Sequence, residues 1–131
     1  MKTVVLALLL AFAALAAAPE DQAQAQGEAW LSLIDSGKYG GSWTQASAFF
    51  RAHVDQQKWT QMANAARGPL GAKTNRSLKS ITFAKTLPGA PDGHYAVAIF
   101  DASFTNKASA VETLTMMDEN GEWRMAGYFI R

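Results

Sequence analysis

The sequence contains no cysteine. That excludes a disulfide scaffold, a thiol nucleophile, a cysteine-bound zinc site and a thiolate-anchored iron–sulfur cluster. It also removes the residue through which an exported lipoprotein would carry its lipid. An excess of charge of one sign is missing too: 12 basic residues stand against 11 acidic ones, so there is no electrostatic case for a nucleic-acid partner. Histidine is scarce. His53 and His94 form no His-x-x-x-His pair, so no metal and no cofactor is expected. Phosphate loops and dinucleotide fingerprints are absent. The glycines of Arg67-Gly68-Pro69-Leu70-Gly71 follow a helix and precede a strand, where a backbone phosphate cradle is not expected. No glycine-flanked strand–nucleophile–helix elbow supports a Ser/His/Asp triad.

What is present begins with an export signal. The chain has 131 residues, enough for one domain. Lys2 supplies a positive start, and an unbroken apolar run extends from Val4 to Ala18. The run is short for a membrane helix, which needs ~20 residues, and no basic cluster follows it. Ala14-Leu15-Ala16 and Ala23-Gln24-Ala25 both fit the small-x-small pattern of a cleavage site, whereas a cut after Ala18 would place Pro19 next to the bond. Residues 1–25 therefore read as signal peptide and polar lead-in, cut after Ala16 or Ala25, and residues 26–131 as a single domain. The expected location is the bacterial periplasm or the exterior, with no membrane attachment after cleavage. The 49% hydrophobic content is inflated by the leader.

Periodicity divides the domain into a helical half and a strand half. Trp30, Leu33 and Ile34 stand at helical spacing before Gly37. Ser42 is placed to cap a second helix with the stripe Trp43, Ala46, Phe50 and Val54. Asp55 is placed to cap a third, with Trp59, Met62, Ala63 and Ala66, ended by Gly68-Pro69. Strands follow at Leu78–Leu87, Tyr95–Phe104, Val111–Met117 and Trp123–Ile130. The predicted fold is α+β: three N-terminal helices packed on one face of a four-stranded antiparallel sheet. The tryptophans lie on apolar stripes and read as core rather than as a carbohydrate or base platform. Lys73, Arg76, Lys79 and Lys85 read as a solvated, lysine-protected edge strand.

Asn120-Gly121 is a type I′ hairpin signal. With these two residues as the loop, Met116 faces Met125, Leu114 faces Gly127 and Glu112 faces Phe129. One face then carries Ala110, Glu112, Leu114, Met116, Trp123, Met125, Gly127 and Phe129, and the opposite face carries Tyr128 and Ile130. The first set is the more apolar and is expected to meet the helices. Glu112 is then a carboxylate on the core side, needing a partner because an unpaired buried charge costs several kcal/mol, roughly. Two readings compete. Glu112 forms a structural ion pair with Arg67 or Arg51, or it opens into a pocket as a general base. In the second case Asp101 would face it from the neighbouring strand, and Tyr128 or Tyr95 would donate hydrogen bonds.

Several motifs together resemble a bacterial exported family, domain of unknown function 4019 (DUF4019). They are Trp30-Leu31 with Ile34-Asp35-Ser36-Gly37, Ser42-Trp43, Phe50-Arg51, Lys58-Trp59, and Arg67 with Pro69-Leu70-Gly71. Leu87-Pro88-Gly89-Ala90-Pro91-Asp92-Gly93, Glu112-Thr113, Gly121-Glu122-Trp123-Arg124 and Gly127-Tyr128-Phe129 complete the set. The resemblance runs from about Ala29 to Arg131 and implies a small exported domain, but it supplies no catalytic residue, cofactor or substrate. The order of elements is also similar to nuclear transport factor 2-like and cystatin-like rolls, which host enzymes and binding modules alike. The expectation is a non-enzymatic module for a small ligand or a protein. The alternative is a small cone-shaped hydrolase or isomerase using Glu112 or Asp101. A fourth strand ending at the C-terminus would offer a face or edge to a second copy, a homodimer that nothing in the sequence requires.

Overall fold

A computed structural model describes residues 16–131. The leader residues Lys2 and Val4–Leu15 lie outside the described residues. Among the described residues, four α-helices precede four strands: α1 (Ala23–Asp35), α2 (Tyr39–Thr44), α3 (Ala48–His53), α4 (Gln56–Arg67), β1 (Lys73–Ala84), β2 (Tyr95–Phe104), β3 (Lys107–Glu119) and β4 (Glu122–Ile130). The strands form one antiparallel sheet in the order β1-β2-β3-β4. The α+β class and the antiparallel sheet are as the sequence implies; the helices differ in number.

The expected second helix is two. The chain breaks at Gln45–Ser47, and Ser47 Oγ accepts from the Phe50 amide at 3.1 Å as the cap of α3. Ser42, expected as a cap, is fully buried inside α2. Its hydroxyl accepts from the Trp59 indole at 2.9 Å and donates to the Tyr39 carbonyl at 2.6 Å, while its own carbonyl accepts from Trp30 at 2.9 Å. Two buried indoles are thus satisfied by one serine, which removes the penalty of an unpaired N–H in the core. Asp55 does cap α4, accepting from the Lys58 amide at 2.7 Å. Met62, expected in the core, is exposed, and Arg67 occupies the buried stripe of α4. The lead-in is ordered: Glu20–Gln22 form a 3₁₀ turn, and Ala18 and Ala23 are buried.

The inner face of β2 is a row of alanines, Ala96, Ala98 and Ala102, interrupted by Phe100. Small side chains make this floor shallow and leave room for the large ones of β1, β3 and β4. Helix α1 lies close: a methyl group at Gly27 would sit 3.0 Å from Met116 Sδ and 3.1 Å from Leu114 Cδ2. The free edge of β4 is covered by side chain and loop. The Trp123 amide donates to Gln26 Oε1 at 2.7 Å, and the Met125 carbonyl accepts from the Ser47 amide at 2.8 Å. Both pairings blunt an edge that would otherwise template a further strand.

The β3–β4 hairpin starts as expected. Asn120 and Gly121 take φ of 55° and 84°, and Met116 faces Met125. The register then shifts by one between Met116 and Thr115, with Ala126 as the extra residue of a β-bulge. Leu114 consequently faces Tyr128, not Gly127, and Glu112 faces Ile130, not Phe129. Because the side-chain period of a strand is two, one inserted residue exchanges the faces of everything beyond it. Phe129, expected in the core, is 76% exposed, and Tyr128, expected outside, packs against the core.

Tyr128→Phe removes the hydroxyl that the bulge turns inward onto Glu112. The expected loss of stability is ~1–3 kcal/mol, the cost of taking a donor from a buried acceptor. Urea denaturation measures it, and an unchanged midpoint would show that the inward hydroxyl of Tyr128 contributes nothing to the fold.

Candidate functional site

Five polar side chains from five elements meet at one end of the interface between helices and sheet. Asp35 ends α1, Arg67 ends α4, Arg76 lies near the start of β1, Glu112 is on β3 and Tyr128 is on β4. Each position follows from local structure. Arg67 is one helical turn beyond Ala63 on the buried stripe of α4. Arg76 pairs with Ala102 and shares the inner face with Leu78, so its long side chain crosses the alanine floor towards β3. Tyr128 is turned inward by the bulge.

Glu112 is the most enclosed of the five, with a side-chain exposure of 0%, against 4% for Arg67, 7% for Arg76 and 16% for Asp35. Arg76 grips it in a fork, Nε to Oε1 at 2.7 Å and Nη2 to Oε2 at 3.1 Å. The other side of the same guanidinium holds Asp35, Nη1 to Oδ2 at 2.7 Å and Nη2 to Oδ1 at 2.8 Å. Arg67 completes the ring, with Nη2 to Asp35 Oδ1 at 2.9 Å and Nη1 3.7 Å from Glu112 Oε2. Its guanidinium also lies over the Phe104 ring, 4.5 Å from the centroid. The Tyr128 hydroxyl donates to Glu112 Oε2 and accepts from Arg67 Nη1 at 3.4 Å. Two carboxylates face two guanidiniums, so the cluster is neutral overall and its bidentate geometry is the kind that offsets desolvation.

Protonation follows the same contacts. Burial alone would raise the Asp35 carboxyl, but its hydrogen bonds to Arg76 and Arg67 outweigh that and hold it below its ordinary value of 3.8. Burial works against the charge on Arg76, yet Asp35 and Glu112 together hold its proton more tightly than in water. Burial, and after it the charge of Glu112, pushes the Tyr128 phenol well above its usual range, so it stays a hydrogen-bond donor.

The sequence-derived candidates separate. Glu112 and Tyr128 meet. Asp101 does not join them: it pairs with Val111 and is exposed on the opposite face, whereas Phe100 faces Glu112. A strand alternates its faces, so a residue one step from Phe100 cannot turn the same way. Tyr95 is at the other end of β2, pairing with Met117 and donating to the Pro91 carbonyl in the β1–β2 loop. Arg51 is not a partner of Glu112; its guanidinium lies over Trp43, 5.9 Å from the ring centroid. The principal partner is Arg76, which the sequence reading assigned to a solvated edge. Asp35 stands in the sequence only within the motif Ile34-Asp35-Ser36-Gly37. Its signal was its place one residue beyond the buried Ile34 at the end of α1.

A separate cleft of ~550 Å³ opens between α1 and β4. Ala29, Trp30, Leu33, Met116, Trp123 and Met125 form its apolar walls, and Gln26, Gln45, Glu122 and Arg124 its rim. Arg124 spans the mouth, donating to Gln45 Oε1 at 3.0 Å and to Glu122 Oε2 at 2.6 Å. Glu112 does not line this cleft.

Residues 26–128 match the model of a family described as protein of unknown function (DUF4019), and the chain belongs to that family. No curated protein matches the sequence.

The Asp35 shift predicts an acid dependence. Its contribution to stability is fully present above 3.8 and is lost as pH falls from there through the lower folded value. In Asp35→Asn the loss is already made at neutral pH, so stability should change less than in the wild type below that point. Urea midpoints measured across the acid range test this; parallel curves for the two proteins would remove Asp35 from the acid response.

Proposed function

We propose that the protein is an exported, non-enzymatic binding module, and that the cleft between α1 and β4 takes a small, largely apolar ligand. The observation carrying this reading is the division of labour between the two sites. The buried cluster of titratable groups is closed on itself. Both oxygens of Glu112 are occupied by Arg76, with Tyr128 and Arg67 on Oε2, and the second carboxylate, Asp35, is held by the same two arginines. A general base needs a free lone pair within reach of substrate, and Asp101, on the other face, cannot serve as its partner. The hydrolase or isomerase alternative is therefore left without Glu112 as its general base.

The cleft has the opposite character. Its volume of ~550 Å³ falls within the ~300–1,000 Å³ of small-molecule sites, and apolar walls with a few polar groups at the rim are the usual composition of such sites. Two tryptophans stand in the wall with their indole N–H groups already bonded, Trp30 to Ser42 and Trp123 to Pro19. Both are nearly buried, so each presents a small apolar surface to the cleft with no polar atom to satisfy. Export is supported by the leader: a basic start, an apolar run too short to span a membrane, and small residues after it.

Titration with the neutral fluorophore 1-N-phenylnaphthylamine tests the cleft. Saturable one-to-one binding with quenching of tryptophan emission is expected, and Ala29→Glu, an exposed position in the wall, should weaken it at least about tenfold, the effect of ~1.4 kcal/mol. Absence of saturable binding, or binding untouched by Ala29→Glu, would contradict the assignment of the cleft.

A further inference from the structure

Two small-x-small positions, ending at Ala16 and Ala25, are available for removal of the leader, and the segment between them belongs to the fold. The Ala18 amide donates to Asp118 Oδ2 at 3.0 Å, while Oδ1 of the same carboxylate accepts from the Gly121 amide at 3.0 Å in the β3–β4 turn. The Pro19 carbonyl accepts the Trp123 indole N–H at 2.8 Å. Ala18 and Ala23 are buried against the core. Ala17, Ala18 and Glu20 also wall a second cavity of ~320 Å³, opposite Phe83, His94 and Tyr95.

A cut after Ala25 would remove all of this. The chain would begin inside α1, without its first turn or the 3₁₀ turn before it. The Trp123 indole would lose its acceptor and Asp118 one of its two donors. A cut after Ala18 would delete the donor to Asp118 and would put Pro19 beside the bond. Of these three cuts, only the one after Ala16 leaves each contact in place, and it falls near the end of the apolar run.

We infer that the processing site is the Ala16–Ala17 peptide bond and that the mature protein begins with a docked segment, residues 17–22, held by Asp118 and Trp123. This inference rests on the export reading above. Signal peptidase adds water across the amide: Ala16 leaves with the leader as a carboxylate, and the Ala17 nitrogen takes up a proton to become an ammonium. That new charge lies one residue from the nitrogen already bonded to Asp118, so cleavage adds an electrostatic attraction to an existing hydrogen bond. Burial does not choose the bond, because the peptidase acts on the chain before it folds. What the fold decides is which product is a complete domain.

Expression of the full-length chain in a bacterium, recovery from the periplasm and intact-mass measurement test the inference. The expected mass is that of a chain beginning at Ala17. In that exported protein Asp118→Ala should lower the melting midpoint by ~5 °C. An exported, folded chain beginning at Pro19 or Gln26 overturns the inference and leaves export standing. An uncut chain retained inside the cell overturns the export reading and the inference with it. A midpoint indifferent to Asp118→Ala refutes the docked segment even where the mass agrees.

Discussion

The fold is organised around the burial of one carboxylate. Glu112 is fully enclosed under the helices, and an ionised carboxylate cannot be placed there unless its oxygens are met by fixed donors. Arg76 meets both of them and Arg67 and Tyr128 approach one, while Asp35 balances the second positive charge. These five residues come from α1, α4, β1, β3 and β4. Satisfying one charge therefore fixes where two helices end and how three strands are registered. The bulge at Ala126 serves the same requirement, since without it Tyr128 would point to solvent.

That solution has a consequence for function. The acid–base groups of this cluster are consumed in holding one another, and their shifted protonation makes them less reactive: Tyr128 keeps its proton, and Asp35 and Arg76 keep their charges. Perturbed ionisation of this kind marks structural ion-pair networks as well as active sites. The cleft over α1 and β4 lies elsewhere, and its walls are apolar. The two regions share the helix α1, which ends in Asp35 and contributes Trp30 and Leu33 to the cleft.

Much of this architecture is written in local pattern. Strand periodicity, the Asn120-Gly121 turn and the Asp55 cap are decided by neighbouring residues, and alternation alone turns Glu112 inward. Non-local features are not. A β-bulge depends on how β4 meets β3, and Gly127 beside Ala126 is a weak sign of it, so Tyr128 and Phe129 exchange places relative to the simple register. Arg76 reads as surface because arginine seldom enters a core without a partner, and its partner is 36 positions away. Ser42 has the chemistry of a helix cap and is used as a tryptophan acceptor, a role that exists only once α1, α2 and α4 have packed. The break at Gln45–Ser47 is a compromise of the same kind, made where the Ser47 amide bonds to β4.

Glu112 and Arg76 form one structural unit. Breaking a buried pair by removing one member costs about 3–5 kcal/mol, whereas replacing both members by apolar residues of similar volume is often neutral or stabilising. The most direct measurement is the urea stability of Glu112→Leu, Arg76→Met and the double variant. Large losses in each single variant, with most of the loss recovered in the double, are predicted. Additive losses would show that the two side chains act independently and that the buried pair is not a unit.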